Sequence, residues 1–197
     1  MRVNKGLMIA ATFDPTKRTS LITVADMCRK IEENSISLPL YQRDISWTLQ
    51  KCIDLLNYQL WGKAPVSPIS INVINTVDSA VPQVSFIDRE IISTIERGQY
   101  SVVDGQQRLT TNYKAYCNHD DFRNIVLDLG KGEFTEVRDS IRSNQIPVGI
   151  LLNKEDTKLF EYTKAKSALG SADVLSVLLQ VRSKMRNYNY TLNSAED

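Results

Sequence analysis

The sequence predicts a mixed α/β (α+β) fold. In some segments apolar residues recur at helical spacing, whereas short apolar runs bounded by Gly, Pro or Asn predict strands in others. The two kinds of segment alternate irregularly, so a regular doubly wound sheet is not expected. With 197 residues, 42% of them hydrophobic, the chain is long enough to bury a core. We predict a main domain over residues 1–150 and a helical extension over residues 151–197.

In the first half of the chain, threonine side chains mark the predicted helix starts. Thr23 and Thr48 each precede an apolar periodic segment, and a threonine hydroxyl can accept a hydrogen bond from an N–H group of the first turn. The elements expected in order are a strand over 7–12, a helix over 24–34, a strand over 35–38, a helix over 49–61 and a strand over 69–74.

In the second half, residues 75–99 show no clear periodicity, and we predict only a hairpin or a short helix near residues 89–96. Beyond residue 156 the pattern is helical. The elements expected in order are a strand at 102–103, a helix to residue 117, a hairpin of 125–129 with 133–137, a strand over 146–151, helices interrupted at Gly170-Ser171 and a polar tail at 193–197.

Composition and cysteine content narrow the class of protein. The net charge of +1 neither indicates nor excludes nucleic acid, because a basic groove can occur within a balanced total. The three cysteines are widely spaced without a CxxC pattern, which argues against a disulfide framework or a zinc site. No apolar run approaches the ~18 residues that span a bilayer, and residues 14–18 interrupt the apolar N-terminal patch. We predict a cytoplasmic protein without a membrane partner.

Several common catalytic arrangements are not supported. His119 is the only histidine, which argues against a zinc site or a serine triad, since both normally need histidine. We expect His119 to face solvent or to cap a helix. Neither G-x-S-x-G nor the phosphate-binding pattern GxxxxGK[ST] occurs. The remaining polar chemistry consists of arginine, glutamine and aspartate.

Residues 100–111, Tyr-Ser-Val-Val-Asp-Gly-Gln-Gln-Arg-Leu-Thr-Thr, predict a strand, a glycine turn and a helix start. Asp104 is expected to cap the helix, with Gln107 completing a capping box. Gly105 would let an anion approach the backbone near the helix N-terminus, and Arg108 could add its guanidinium. The junction is therefore either a phosphate site or simply a well-capped helix.

Residues 38–47, Leu-Pro-Leu-Tyr-Gln-Arg-Asp-Ile-Ser-Trp, form a second polar cluster. Arg43 follows Gln42 as Arg108 follows Gln107, and each arginine can donate two hydrogen bonds to phosphate oxygens. Asp104, with Asp44, could hold Mg²⁺ between phosphates. Tyr41 and Trp47 could stack on a base or pack in the core. These groups fit a nucleoside triphosphate or a nucleic-acid phosphate.

The two motifs together resemble the ParB/sulfiredoxin-like N-terminal domain of GmrSD-type, modification-dependent restriction systems. The resemblance covers roughly residues 20–190, including the helix after Trp47 and the hairpin near residue 130. It implies a ParB-like α/β fold whose Asp104–Arg108 turn binds or hydrolyses a nucleoside triphosphate, with Mg²⁺ as cofactor. It also implies that this step is coupled to DNA sensing and to a nuclease.

The resemblance also implies roles for individual residues. Asp104, Gln107 and Arg108 would be catalytic, and Asp104 would hold Mg²⁺. The residues implied in nucleotide or phosphate binding are Tyr41, Gln42, Arg43, Trp47, Gly105 and Gln106. Sulfiredoxin relatives use a cysteine at the equivalent turn, and this turn has none, so a sulfiredoxin-type reaction is not expected.

Two departures from the family pattern bear on the partners. A C-terminal His-Asn-His nuclease domain is not expected here, and the strand that follows the region of residues 187–190 in the family is expected to be missing. Its absence would leave a sheet edge for a partner to cover. The partners predicted are DNA and a separate nuclease subunit bound through the C-terminal helices, and homo-oligomerisation stays open.

Three functions follow, in order of preference. The first is a nucleotide-dependent sensor in a restriction or phage-defence system, with or without hydrolysis. The second is a non-catalytic DNA-binding or regulatory protein. The third is a metal-dependent DNA nickase that uses Asp104.

Overall fold

A computed structural model describes residues 3–12, 18–42, 47–63 and 68–196. The strands are β1 (Arg18–Thr23), β2 (Ile36–Pro39), β3 (Pro68–Val73), β4 (Gln83–Val84), β5 (Tyr100–Asp104), β6 (Ile125–Asp128), β7 (Glu133–Glu136), β8 (Gln145–Pro147) and β9 (Asn189–Glu196). The helices are α1 (Lys5–Thr12), α2 (Val24–Glu32), α3 (Leu49–Leu60), α4 (Gln106–Tyr116), α5 (Val148–Leu151), α6 (Thr157–Ala165) and α7 (Ala172–Arg186). Short 3-10 helices occupy Val77–Ser79, Asp120–Phe122 and Ser167–Leu169.

The predicted mixed α/β class is confirmed. The larger sheet has six strands in the order β1-β9-β3-β5-β2-β4, and β7-β6-β8 form a smaller antiparallel sheet. β5 runs parallel to β2 and antiparallel to β3, so its C-terminal end lies well inside the larger sheet. Within the described ranges, no helix has the length and apolar character needed to cross a bilayer.

Two apolar clusters fill the interior. One joins α2 and α4 to the larger sheet and includes Met27, Val102 and Leu109. The other joins α3 and the helices after residue 147 to the smaller sheet, and it includes Leu56 and Leu178. The helix α4 contributes to both, because Leu109 belongs to the first cluster and Ala115 to the second. This helix therefore lies between the two sheets.

The predicted helix caps are confirmed where a hydroxyl precedes the helix. The Thr23 hydroxyl accepts from the Asp26 N–H at 3.1 Å, and the Thr48 hydroxyl accepts from the Lys51 N–H at 3.4 Å. Ser171, at the predicted interruption, caps α7 in the same way. These local patterns fix the starts of α2, α3 and α7.

The end of the chain differs from the predicted helical extension and polar tail. Residues Asn189–Glu196 form β9, which pairs with β1 on one side and β3 on the other. Tyr190 and Leu192 are buried, whereas Thr191 between them is polar. This strand therefore lies inside the larger sheet, where it is paired on both sides.

Two other element predictions are wrong. Residues 7–12 belong to the helix α1, in keeping with the helix-forming Leu7, Met8 and Ala10, and the Asn4 side chain accepts from the Gly6 N–H at its start. The strand predicted over 146–151 ends at Pro147, after which α5 makes one helical turn closed by the Leu152 N–H on the Val148 carbonyl.

The segment 75–99 contains no helix at 89–96, and the predicted hairpin is present only as a short antiparallel contact, in which the Ser85 N–H donates to the Glu90 carbonyl and the Ile92 N–H to the Gln83 carbonyl, both at 2.9 Å. It contributes β4, which pairs with β2, and an isolated bridge between Val84 and Ile91. The Leu40 N–H donates to the Pro82 carbonyl at 2.8 Å. The segment therefore supports the chain where it leaves β2.

Candidate functional site

The turn between β5 and α4 requires glycine. Gly105 has a φ of 101°, in the left-handed region, and it is the N-cap residue of α4. A Cβ atom built at this position would collide with the side chain of Ile69. Both the backbone conformation and the close approach of β3 therefore make a larger residue here strained.

The predicted capping role of Asp104 is wrong. The N-cap is Gly105, and no side chain in the described part of the chain caps α4. Asp104 is instead the last residue of β5, and its Oδ2 accepts from Nη2 of Arg108 at 3.3 Å. The side chain of Asp104 is 74% exposed. The capping pattern fails because the left-handed glycine intervenes between the aspartate and the helix.

Arg108 is held at the edge of the turn. Its Nη2 donates to the Pro68 carbonyl at 2.9 Å as well as to Asp104, and its side chain is 20% exposed. Both bonds use the same nitrogen. Among the described residues, no acceptor is bonded to Nη1 or Nε, so these N–H groups could serve a ligand.

Gln42 connects the first motif to the second. Its Nε2 donates to the carbonyls of Val102 and Val103, at 3.1 and 2.7 Å. The pairing of β2 with β5 reaches only Tyr100 and Ser101, so the side chain of Gln42 takes over where the strand pairing stops. The structure therefore gives Gln42 a positioning role at the end of β5.

The other end of the first motif is attached to α4. The Trp47 N–H donates to Oε1 of Gln107 at 3.2 Å. The two motifs are thus joined at two points, on either side of the Gly105 turn. Arg43 and Asp44 lie between these points, in a segment outside the described residues.

The aromatic residues of the first motif have different environments. Tyr41 is 66% exposed, so it does not pack in the core. Trp47 is partly buried against the apolar cluster of the smaller sheet. Of the two, only Trp47 combines core packing with a surface that borders a cavity.

The chain matches the family described as GmrSD restriction endonuclease, N-terminal domain, over residues 24–194. It belongs to this family. Both motifs fall within the matched range, which confirms the predicted resemblance and indicates a module of a restriction or defence system. In the comparison with curated proteins, no relative matches the chain.

Arg89 is a component of this GmrSD N-terminal domain that the sequence did not single out. Its Nη2 donates to the carbonyl of Gln42 at 2.6 Å and to that of Leu40 at 3.4 Å. It therefore holds the backbone of the first motif from the side of residues 75–99. No periodicity or motif marks Arg89, because its role depends on a contact 47 residues away in the chain.

A buried tyrosine supports the domain's candidate site from behind. The Tyr190 hydroxyl accepts from Nδ2 of Asn112 at 2.8 Å and from Nε2 of Gln59 at 2.9 Å. Asn112 also donates to the Arg108 carbonyl. Burial raises the pKa of Tyr190, so the phenol stays neutral. β9 thereby fixes the first turns of α4 relative to α3.

The acidic groups that the structure describes lie apart from one another as far as metal binding is concerned. Among the described residues, no group of three His, Cys, Asp or Glu side chains could hold a metal ion. Asp104 offers one carboxylate, which fits Mg²⁺ only if phosphate oxygens and water supply the remaining ligands. His119 caps the 3-10 helix Asp120–Phe122 through its Nδ1, as the sequence suggested.

Proposed function

We propose that this chain is a nucleoside-triphosphate-binding module of a DNA restriction or phage-defence system. The phosphates would bind at the turn from Asp104 to Arg108. The observation that supports this is the pair of connections across that turn, from Gln42 to the end of β5 and from Trp47 to Gln107. Two segments distant in sequence are joined around a glycine that cannot be replaced without strain.

The proposed binding rests on three properties of the turn. Gly105 has no side chain to keep a phosphate from the backbone, and the first N–H groups of α4 lie at the positive end of the helix dipole. Arg108 retains N–H donors on Nη1 and Nε. Arg43, Gln106 and Tyr41 remain candidates for further contacts with the nucleotide.

The ion pair between Asp104 and Arg108 suggests how a ligand would be accommodated. A phosphate is a stronger partner for a guanidinium than an exposed carboxylate is, so it would displace Asp104 from Arg108. The released Asp104 could then bind Mg²⁺ or orient water, while Arg108 stabilises charge on the phosphates. Bound Mg²⁺ would neutralise phosphate charge. The amide of Gln107, oriented through Trp47, could position a water molecule.

DNA and a nuclease subunit are the proposed partners. The family description names a restriction endonuclease, so nucleotide binding would be coupled to DNA sensing or to cleavage by the partner. The C-terminal helices are the proposed contact with that partner, since α7 exposes Val177 and Leu179.

Calorimetry with Arg108→Ala tests the proposed nucleotide site. Each of the four nucleoside triphosphates would be titrated with Mg²⁺ into the wild type and the variant. Arg29→Ala is the matched control, because Arg29 also pairs with a nearby aspartate but lies on α2, away from the turn. We expect Arg108→Ala to abolish binding and Arg29→Ala to preserve it.

Arg108→Ala also removes the bond to the Pro68 carbonyl, so folding must be checked by circular dichroism. Nucleotide binding that is unchanged in a folded Arg108→Ala protein would contradict the proposal. Arg108→Lys adds a second comparison: it keeps the charge but loses the paired donors of the guanidinium, and it should bind more weakly than the wild type.

A non-catalytic DNA-binding or regulatory protein is the second candidate. It is favoured by the ion pair between Asp104 and Arg108, because a carboxylate that is paired with an arginine is not an obvious catalytic base. This candidate predicts salt-dependent DNA binding and no phosphate release. Steady phosphate release that is lost in Asp104→Ala would exclude it.

The third candidate, a metal-dependent nickase, has weaker support because no group of three His, Cys, Asp or Glu side chains among the described residues could hold a metal ion. A plasmid-nicking assay in Mg²⁺ or Mn²⁺, with Asp104→Ala as control, tests it.

A further inference from the structure

A cavity of about 330 Å³ lies beside the candidate phosphate turn, between α3, α4 and the 3-10 helix Asp120–Phe122. We name it the Trp47 pocket. This volume is at the lower end of the range typical of small-molecule sites. The residues that line it are Trp47, Leu49, Cys52, Thr110, Thr111, Lys114, Asp121 and Phe122.

The lining combines aromatic surface with both kinds of hydrogen-bonding group. Trp47 and Phe122 supply aromatic surface, and Leu49 adds an aliphatic side chain. Lys114 is a donor, and it forms an ion pair with Asp121, which is an acceptor. A planar ring with donors and acceptors around its edge matches such a lining better than an aliphatic chain, which would leave the charged pair without a role.

Hydrogen bonds connect the lining of the Trp47 pocket to the turn. Trp47 is hydrogen-bonded to Gln107, and the Thr111 hydroxyl donates to the Gln107 carbonyl and contacts Sγ of Cys52 at 3.3 Å. Thr110 and Lys114 lie three and seven residues after Gln107 on α4, or about 5 and 10 Å along the helix axis. A nucleotide is long enough to reach from the turn into the pocket.

Thr110 supplies an additional polar group. Thr110 is one of the residues that line the Trp47 pocket, and its hydroxyl is buried without a hydrogen-bond partner in the described ranges. Buried polar groups are normally paired, and an unpaired one costs folding free energy. Thr111, next to it, has its hydroxyl fully engaged. A ligand that bonds to Thr110 would relieve this unpaired group.

From this lining and its position we infer that the Trp47 pocket binds a nucleobase, stacked on Trp47 and contacted at its edge by Thr110 and Lys114. The inference rests on the proposed phosphate site at the turn. The same ring chemistry is available from a free nucleotide and from a DNA strand, and the experiment below separates these sources.

The fluorescence of Trp47 can report whether a ligand binds in the pocket. The chain has two tryptophans, and Trp61 is 59% exposed outside the pocket, so Trp61→Phe leaves Trp47 as the sole indole fluorophore. In this background, Trp47 emission would be followed during titrations with Mg²⁺ and nucleoside triphosphates, with inorganic tripolyphosphate, and with short single-stranded DNA. The same ligands would be titrated by calorimetry.

We expect a ligand that carries a base to quench Trp47 and tripolyphosphate to leave it unchanged. Quenching by free nucleotides assigns the pocket to the nucleotide base, and quenching by DNA alone assigns it to a DNA base. Thr110→Val keeps the side-chain shape and removes the hydroxyl. It should therefore lower the affinity for base-containing ligands about 2- to 10-fold without changing the affinity for tripolyphosphate. Trp47→Leu should weaken them about 5- to 150-fold, with Trp61→Leu as control.

The outcomes separate this inference from the proposed phosphate site. Equal affinities for tripolyphosphate and nucleotides, with unquenched Trp47 in every titration, would overturn the base pocket and leave the phosphate site in place. Quenching by DNA with no binding of nucleotides or tripolyphosphate would support the pocket and contradict the phosphate site. If Thr110→Val lowers the affinity for tripolyphosphate as much as the affinity for base-containing ligands, the inference is also overturned. The hydroxyl would then affect binding through the structure of the site and not through contact with a base.

Discussion

Two aspartates end two strands of this molecule, and their environments are opposite. Asp128 ends β6 and is 3% exposed. Its Oδ1 accepts from the N–H groups of Gly130 and Lys131 and from Asn144, and its Oδ2 accepts from Gln145. Asp104 ends β5, lies mostly in solvent and bonds only to Arg108 among the described residues.

The difference separates a structural carboxylate from an available one. The bonds to Asp128 close the β6–β7 turn and engage both carboxylate oxygens inside the fold. Asp104 contributes one exposed ion pair, which is worth little to stability, yet it lies beside a left-handed glycine and an arginine with spare donors. Similar positions at strand ends therefore serve folding in one case and, in our proposal, ligand binding in the other.

The largest effect is expected from Gly105→Ala. Left-handed backbone and the collision with Ile69 should together lower the free energy of unfolding by about 2–5 kcal/mol. Urea unfolding measures it. Gly130→Ala, in the Asp128 turn, is the control, because Gly130 does not have a left-handed φ. Equal losses at the two glycines would remove the distinction between the turns.

Asp128→Asn should lower the free energy of unfolding by about 1.5–3 kcal/mol at neutral pH, since hydrogen bonds to a charged acceptor are lost or weakened. The bond from Gln145 holds the pKa of Asp128 below its ordinary value. The charged carboxylate therefore stabilises the fold above that ordinary value, about 3.9, and its contribution is lost as the pH falls through the lowered pKa. Urea unfolding at several pH values should show wild type and variant converging in acid. A difference that does not change with pH would contradict this role.

Thr48→Ala should cost about 1 kcal/mol, the usual loss for a helix cap. This substitution removes the side-chain cap of α3, and the comparison is with α4, which has no side-chain cap among the described residues. Thermal unfolding of Thr48→Ala and Asp104→Ala should therefore show a lower melting temperature only for the first. A comparable loss in both would mean that Asp104 caps α4 in solution.

The smallest stability change is expected for Asp104→Asn, below about 0.5 kcal/mol, because the carboxylate is exposed and singly bonded. Nucleotide turnover, if the wild type shows it, should fall in this variant. Denaturant unfolding and a phosphate-release assay measure the two quantities on the same sample. A large loss of stability would place Asp104 with Asp128 as a structural group.

The sequence predicted the parts of this fold that depend on local patterns. Thr23 and Thr48 precede their helices as expected, and the buried face of α2 follows from apolar spacing. The strand β9 was missed because Tyr190 and Leu192 are the residues of β9 known to be buried, and most of its other residues are polar. Its place in the sheet is set by β1 and β3, which are far away in sequence.

The candidate site was predicted in outline but not in its contacts. The two motifs do meet, yet Gln42 and Gln107 are engaged by other protein groups rather than presented as free side chains. The capping pattern predicted Asp104 as the N-cap, one residue before the actual N-cap Gly105, because Gly105 adopts a conformation that sequence spacing does not reveal. Arg89 and the Trp47 pocket depend on tertiary contacts alone.

The most direct test of the central claim is to observe the backbone of the turn while nucleotide is added. Amide NMR spectra of the labelled protein, recorded with Mg²⁺ and each nucleoside triphosphate, should show the largest shifts at Gly105, Gln106 and Gln107. The amides of Gly130 and Lys131, in the Asp128 turn, should remain unchanged. Saturating nucleotide that leaves the Gly105 amide in place while shifting amides elsewhere would contradict a phosphate site at this turn.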